Sequence, residues 1–193
     1  NGPVSFSLTA LGTVPAGKTL NRSGEKVGDT IFVSGTLGDS AIGLDAMRGK
    51  PDARLSSEDK EYLQQRYLLP QPRVALGQQL IGVANACMDI SDGLLQDMEH
   101  ICKASSVMGE IEAQKLPLSE AASHAIELSP ELGMRVFTGG DDYELLFTVP
   151  KDKLASVPEN CTAIGVIKEG SGVNILDERG QSMIFTHKGY NHF

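Results

Sequence analysis

The chain has no run of basic residues and no long apolar segment, and these two absences exclude whole classes of function. Its 17 Lys and Arg residues are outnumbered by 25 Asp and Glu residues, giving a net charge of −8. A nucleic-acid-binding protein needs a basic face, so we expect no nucleic-acid partner. No apolar run approaches the roughly 20 residues that a membrane-spanning helix requires, so we expect no membrane partner either.

Cysteine is also scarce. Cys87, Cys102 and Cys161 are odd in number and far apart, and no Cys-x-x-Cys pair occurs. Such a set does not form a disulfide framework, so it predicts reduced and mostly buried thiols. No two histidines have the spacing of zinc ligands. With no signal peptide evident in the sequence, we expect a cytoplasmic protein.

The order of apolar segments predicts the fold class. Short strands alternate with amphipathic helices, and the last strands follow one another closely, which is typical of an α+β fold with helices packed on a mixed β-sheet. Apolar and polar residues alternate over residues 4–14, which predicts a half-buried strand ending before Pro15. We interpret residues 1–20 as the final strand and exit segment of a missing N-terminal domain. Residues 21–193 would then be a C-terminal α+β domain.

The remaining predicted elements are read from periodicity, capping residues and turn signals. The predicted strands are residues 30–33, 84–90, 109–113, 144–149, 162–167, 173–176 and 182–185. The predicted helices are residues 41–47, 56–69, 73–83 and 94–102, two that begin at 119 and 130, and a short one over 151–157.

The most informative segment is Met88-Asp89-Ile90-Ser91-Asp92-Gly93-Leu94. It lies between an apolar stretch and a helical pattern, so it predicts a strand-to-helix junction with free backbone N–H groups and a positive dipole end. Asp89 and Asp92 there can hold a hard cation such as Mg²⁺, and Ser91 can bond a phosphate oxygen. Alternatively, Ser91 or Asp92 only caps the helix. The motif alone does not decide between these interpretations.

A glycine-rich turn, Ser34-Gly35-Thr36-Leu37-Gly38-Asp39-Ser40, also joins a predicted strand to a helix. Such a turn can surround a phosphate with backbone N–H groups. However, it lacks the Gly-Lys-Ser/Thr of a Walker A loop and the third glycine of a dinucleotide fingerprint. The pattern therefore favours a tight turn in which Asp39 or Ser40 caps the helix.

A second acidic cluster, Gly139-Gly140-Asp141-Asp142-Tyr143-Glu144, begins an apolar strand. It predicts either a site for a cation or ligand amine, or a turn with Asx-type hydrogen bonds. Arg22, in a Gly/Ser-flanked loop, can contact phosphate, although a solvated arginine is the commoner outcome. Tyr190, in the aromatic C-terminal tail, either packs or stacks on a flat ring. No nucleophile–base pair stands out, and phosphoryl transfer requires none.

Together these motifs resemble a known family. The segments TLNRSG-x-K-x-GD, VSGTLGDSAIGL, MDISDGLLQD and GGDDYELLFTV occur in that order, and the chain closes with KGYNHF. The set is similar to the C-terminal portion of the thiamine-monophosphate kinases, which belong to the aminoimidazole ribonucleotide synthetase-like superfamily. The resemblance covers nearly all of the chain and implies the C-terminal domain type of that superfamily.

The resemblance implies a specific reaction. The γ-phosphoryl group of ATP would be transferred in line, with the help of Mg²⁺, to the phosphate of thiamine monophosphate, giving thiamine diphosphate. By motif, Asp89 and Asp92 would bind Mg²⁺, and Ser91 and Arg22 would contact ATP. No residue is assigned as a catalytic acid, base or nucleophile.

The resemblance also implies the acceptor site and what this chain lacks. Asp141 would face the thiamine part, Tyr190 would stack on it or line it, and Asp39 would at most support the site. The family's N-terminal domain carries further acidic ligands, much of the nucleotide site and the dimer-forming sheet. We therefore expect the full-length protein to be a homodimer and this chain alone to be inactive.

Two alternatives stay open at this stage. One is another ATP-using member of the same superfamily, such as a selenophosphate synthetase or a hydrogenase-maturation protein. The other is a non-catalytic ligand-binding or assembly domain. The group that lies next to Asp141 would separate the first alternative from a thiamine-monophosphate kinase.

Overall fold

The computed structural model describes residues 2, 4–49, 54–186 and 189 of the chain. The strands of this part are β1 (Thr30–Ser34), β2 (Ala86–Asp89), β3 (Met108–Glu112), β4 (Leu145–Val149), β5 (Cys161–Lys168) and β6 (Gly172–Leu176). Its α-helices are α1 (Asp39–Met47), α2 (Ser57–Leu68), α3 (Val74–Gln79), α4 (Leu94–Ser105), α5 (Glu120–Leu128) and α6 (Arg135–Thr138). Short 3₁₀ helices lie at Ala113–Lys115, Pro130–Met134 and Lys151–Ser156.

The strands form one mixed sheet in the order β2-β4-β1-β5-β3-β6. β3 and β6 are parallel, whereas the other pairs are antiparallel. The α+β prediction with a mixed sheet is therefore confirmed. Because β2 and β4 are neighbours, the segments next to Asp89 at the end of β2 and Leu145 at the start of β4 lie side by side.

Helix α4 packs on one face of the sheet as its periodicity predicts. Its predicted apolar face is buried, and each such side chain contributes about 1.5–3 kcal/mol on burial. The buried side chains of this face are Leu94, Leu95, Met98, Ile101 and Cys102.

The other sheet face holds a separate cluster in which the Phe32 and Phe147 rings stack with centroids 5.5 Å apart. A third cluster joins α1, α2 and α5.

Local capping signals were also reliable. Ser56 begins α2 as predicted, and its hydroxyl accepts the Asp59 backbone N–H at 3.0 Å. Ser119 does the same for α5, where the Ala122 N–H donates to it. Such a bond satisfies one of the N–H groups that the first helical turn leaves without an intrahelical partner.

The predicted strand over residues 4–14 is wrong in the part of the chain that is described. Val4, Phe6 and Leu8 are 82%, 93% and 95% exposed, and residues 4–14 form no strand. A strand needs a hydrogen-bonding neighbour, and no described strand of this chain pairs with the segment. The division into residues 1–20 and 21–193 stays a prediction.

Two further predicted elements are shorter than expected. The helix predicted over 73–83 spans only Val74–Gln79. The predicted strand over 182–185 is reduced to a single bridge between Leu176 and Ser182.

In the described residues, no helix combines the length and apolarity needed to cross a membrane.

Candidate phosphate and metal site

The junction after β2 is held by a buried acid of helix α4. One carboxylate oxygen of Asp97 accepts the backbone N–H groups of Ser91, Asp92 and Gly93 at 3.0, 3.1 and 3.2 Å. Asp97 is only 1% exposed, and burial raises the pKa of its carboxyl above the ordinary value. The first helical turn therefore fixes the loop that carries Ser91 and Asp92, and neither of these residues is the side-chain cap of α4.

The loop over residues 139–144 crosses this junction directly. The Asp141 N–H donates to the Ser91 carbonyl at 2.9 Å, and the Tyr143 N–H donates to the Ile90 carbonyl at 2.9 Å. A Cβ on Gly140 would lie 2.3 Å from the Ser91 oxygen, so only glycine permits this approach. The two acidic motifs, far apart in sequence, thus form one connected backbone unit.

Asp141 and Tyr143 adopt an uncommon backbone conformation in this loop. Their φ angles are 67° and 52°, in the left-handed region that non-glycine residues seldom occupy. The Tyr143 hydroxyl donates to Asp141 Oδ1 at 3.1 Å. Such strained residues cluster at binding and catalytic sites, where surrounding contacts maintain them.

The acids of this cluster divide into two roles. Asp142 and Glu144 are 2% and 0% exposed and point into the protein, whereas Asp141 lines a cleft. Of the two interpretations of this cluster, a ligand site therefore stays open for Asp141, whereas Asp142 and Glu144 are used inside the protein. Their buried partners account for this, because Asp142 accepts N–H groups at the start of α1 and Glu144 accepts hydrogen bonds from Arg66 and Arg73.

Asp142 occupies the N-terminus of α1. Its carboxylate accepts the Gly38 N–H at 2.7 Å and the Ser40 N–H at 3.3 Å. Burial raises the pKa of Asp142 to about 7, even though both amide bonds favour the ionised form. The glycine-rich turn is thus a capped strand-to-helix turn, as favoured, but the cap comes from Asp142 and not from Asp39 or Ser40.

Glu144 is the centre of a buried ion-pair network. Arg66 Nη2 donates to it at 3.0 Å, Arg73 Nε at 2.7 Å, and the Ser34 hydroxyl also donates to it. Burial opposes ionisation, but the bonds from Arg73 and Ser34 and the two arginine charges outweigh it and hold the pKa of Glu144 below its ordinary value. Asp39 joins the network through Arg66 Nε at 3.4 Å and accepts the Ser119 hydroxyl at 2.6 Å.

The two loops form one wall of a cleft of about 980 Å³. Of the predicted site residues, Ser91, Asp92 and Asp141 line it. Further lining residues come from α1 and its C-terminal cap, α2 and α6, and include Arg48, Tyr67 and Arg135. Arg135 Nε donates at 2.8 Å to Asp45, which also lines the cleft. The cleft therefore carries both acidic and basic side chains.

The other predicted residues are placed differently. Asp89 is the exposed last residue of β2. Arg22 is exposed and does not line the cleft, although the Asn21 carbonyl beside it accepts the Cys87 N–H on β2. Tyr190 lies outside the described residues.

The Tyr143 phenol lies close enough to three acids for each of them to affect its pKa. Burial raises the pKa of its phenol, followed by the hydrogen bond and charge of Asp141 and then the charges of Asp89 and Asp92. All three acids therefore act on a single hydroxyl at the cleft wall. Sequence reasoning missed Tyr143.

Asp89 and Asp92 have the donor chemistry that Mg²⁺ prefers. The ion takes one or two carboxylates together with phosphate and water oxygens, so two acids at the loop beside this cleft fit it. Asp92, Asp97 and His100 also bring one potential ligand atom each within 4.8 Å of one another. Three amide hydrogens point at Asp97, however, and their positive partial charge disfavours a cation there.

Comparison with known proteins identifies the family. Residues 26–178 match the family described as AIR synthase related protein, C-terminal domain. The chain belongs to this family. The fold and the paired acidic loops thus define a member of the superfamily that the sequence motifs indicated.

The similarity to thiamine-monophosphate kinases is also confirmed. The chain is 40% identical to the thiamine-monophosphate kinase of Escherichia coli K12 over its whole length, but spans only 61% of that relative. The solved structure of AaThiL complexed with AMPPCP and TMP is 37% identical, with a TM-score of 0.77 over 90% of this chain and 54% of that one. Escherichia coli HypE shares the fold at 22% identity, with a TM-score of 0.68 over 93% of this chain and 56% of that one.

Proposed function

We propose that this chain is the metal-binding and acceptor-binding part of a thiamine-monophosphate kinase. The enzyme would transfer the γ-phosphoryl group of ATP to thiamine monophosphate and release thiamine diphosphate. The observation that carries this proposal is the direct hydrogen bond between the two acidic loops, from the Asp141 N–H to the Ser91 carbonyl at 2.9 Å. It places a candidate acceptor residue beside a candidate phosphate-binding residue in one cleft.

The relatives support the identity of both substrates. The AaThiL complex contains AMPPCP, an ATP analogue whose β and γ phosphorus atoms are joined through carbon, together with TMP. The chain is 37% identical to that protein and has the same fold in the matched region. We therefore assign ATP as co-substrate and thiamine monophosphate as acceptor.

Phosphoryl transfer depends mainly on positioning and on neutralisation of phosphate charge. Ser91 would donate its hydroxyl to a phosphate oxygen from a loop that Asp97 holds rigid. Arg22 would contact the ATP phosphates from the segment beside β2. Asp89 and Asp92 would hold Mg²⁺, which would neutralise phosphate charge.

The acceptor would lie against the Gly139–Tyr143 loop. Asp141 carries a carboxylate on the cleft wall and suits a cationic or amine-bearing ring. Tyr190 would stack on or line the same ring. Acidic and basic side chains along the same cleft also suit a substrate that carries a cationic ring and an anionic phosphate.

The 193-residue chain would be inactive or nearly so by itself. Two carboxylates supply only a small part of the ligands needed to hold the Mg²⁺ that would neutralise two bound phosphate compounds. We propose that the full-length gene product containing residues 1–193 supplies the remaining ligands, acts as a homodimer and works in the cytoplasm without nucleic-acid or membrane partners.

The direct test is product formation. The full-length gene product is incubated with ATP, Mg²⁺ and thiamine monophosphate, and thiamine diphosphate is measured by chromatography beside the 193-residue chain. We expect product from the full-length protein and almost none from the chain alone. Product from the chain at an ordinary kinase rate would contradict the proposed incompleteness.

An acceptor panel separates the related activities. The same protein is offered selenide and a carbamoyl donor in place of thiamine monophosphate, and ATP consumption is measured. We expect consumption with thiamine monophosphate alone. Consumption with selenide or the carbamoyl donor, and none with thiamine monophosphate, would refute the proposed function in favour of another superfamily activity.

A further inference from the structure

We propose that Tyr143 is a positioning residue that orients the Asp141 carboxylate toward the acceptor. This inference rests on the proposed function and adds a residue to it. The Tyr143 hydroxyl donates to Asp141 Oδ1 at 3.1 Å, and both side chains line the cleft. Within the described residues, no hydrogen bond reaches Asp141 Oδ2, so this oxygen can accept a hydrogen bond from the substrate.

The backbone supports a role in orientation. Asp141 and Tyr143 both have positive φ, which is unfavourable for residues with a Cβ and especially for an aromatic one. Their neighbours in the chain are anchored in the protein. Asp142, between them, caps α1, and Glu144, directly after Tyr143, pairs with arginines. These anchors impose the conformation that turns both side chains toward each other at the cleft wall.

The surroundings of the phenol keep it a hydrogen-bond donor. Burial and then the hydrogen bond to Asp141 raise the pKa of Tyr143 above its ordinary value. The hydroxyl therefore keeps its proton in neutral solution and donates its hydrogen bond to Asp141. With Oδ1 engaged in this way, Oδ2 presents a fixed acceptor to an N–H-bearing ring of the substrate.

The test replaces only the hydroxyl. Tyr143→Phe is made in the full-length gene product, and steady-state kinetics are measured with thiamine monophosphate and ATP varied separately. We expect KM for thiamine monophosphate to rise about tenfold, which corresponds to about 1.4 kcal/mol, with kcat and KM for ATP changed less than twofold. Tyr62→Phe is the matched control, because the Tyr62 hydroxyl contacts Asp39 at 3.4 Å away from this loop.

A second variant shows whether Tyr143 acts through Asp141. Asp141→Asn is measured alone and combined with Tyr143→Phe in a double-mutant cycle. If Tyr143 only orients Asp141, the double variant is no worse than Asp141→Asn. Additive effects, or an unchanged KM in Tyr143→Phe, would overturn this inference while the wild-type activity still supports the proposed function. A wild-type protein without the activity would instead overturn the proposed function and, with it, this inference.

Discussion

Replacing Asp97 by alanine tests whether this carboxylate holds the Ser91–Gly93 loop. The change removes the acceptor of three backbone N–H groups at 3.0–3.2 Å. A net contribution of about 0.5–1.5 kcal/mol for each such bond gives a loss of about 3 kcal/mol in the free energy of unfolding. For a protein of this size, that loss lowers Tm by about 6–12 °C.

The assay is urea unfolding followed by far-ultraviolet circular dichroism, because the chain contains no tryptophan. Asp97→Asn is the matched control, since its amide oxygen still accepts hydrogen bonds and burial already disfavours the ionised acid. We expect the control to lose less than about 1 kcal/mol. The reasoning is refuted if the alanine variant is as stable as the wild type, or if the asparagine variant is as unstable as the alanine variant.

Two further predictions concern the buried acids behind the cleft. The pKa of Asp142 is about 7 in the folded protein and near 3.8 in the unfolded chain, so its contribution to stability is complete below the lower value and is lost as the pH rises through 7. Asp142→Asn should therefore flatten the decline in unfolding free energy between pH 5 and 8. An unchanged slope would contradict this. Glu144→Ala leaves two arginines without their buried carboxylate and should lower the free energy of unfolding in urea by about 3–5 kcal/mol. Lys115→Ala, at an exposed ion pair, should lower it by only about 0–1 kcal/mol. Equal losses in both variants would show that the buried ion pair matters no more than the exposed one.

Features that depend on local sequence were predictable. The apolar face of α4 follows from residue spacing, and the Ser56 cap needs only the next three residues. The strand-to-helix junction at Ser91 was also predicted, and Ser91 and Asp92 line a cleft there. Asp97 carried a signal that was not used, because an acid in the first turn of a helix is well placed to accept free N–H groups.

Features that depend on distant partners were not predictable. The Asp142 carboxylate caps a helix more than 100 residues earlier, and sequence spacing gives no indication of this contact. The same is true of Tyr143, whose importance arises from a loop conformation that tertiary contacts impose. The strand predicted over residues 4–14 failed for a related reason. Alternation of apolar and polar residues is typical of a half-buried strand, but a strand also needs a hydrogen-bonding partner.

The most direct test of the account is the activity of Asp92→Asn in the full-length gene product. Thiamine diphosphate formation is measured at saturating ATP and thiamine monophosphate over a range of Mg²⁺ concentrations. Asp152→Asn, at an exposed acid of a 3₁₀ helix away from the cleft, is the control. The account predicts that Asp92→Asn loses at least about 100-fold in kcat and needs more Mg²⁺, as expected when a charged group that acts on transferring phosphate is removed, while the control is unaffected. Wild-type activity and Mg²⁺ dependence in Asp92→Asn would contradict a metal role for this loop and favour a non-catalytic one.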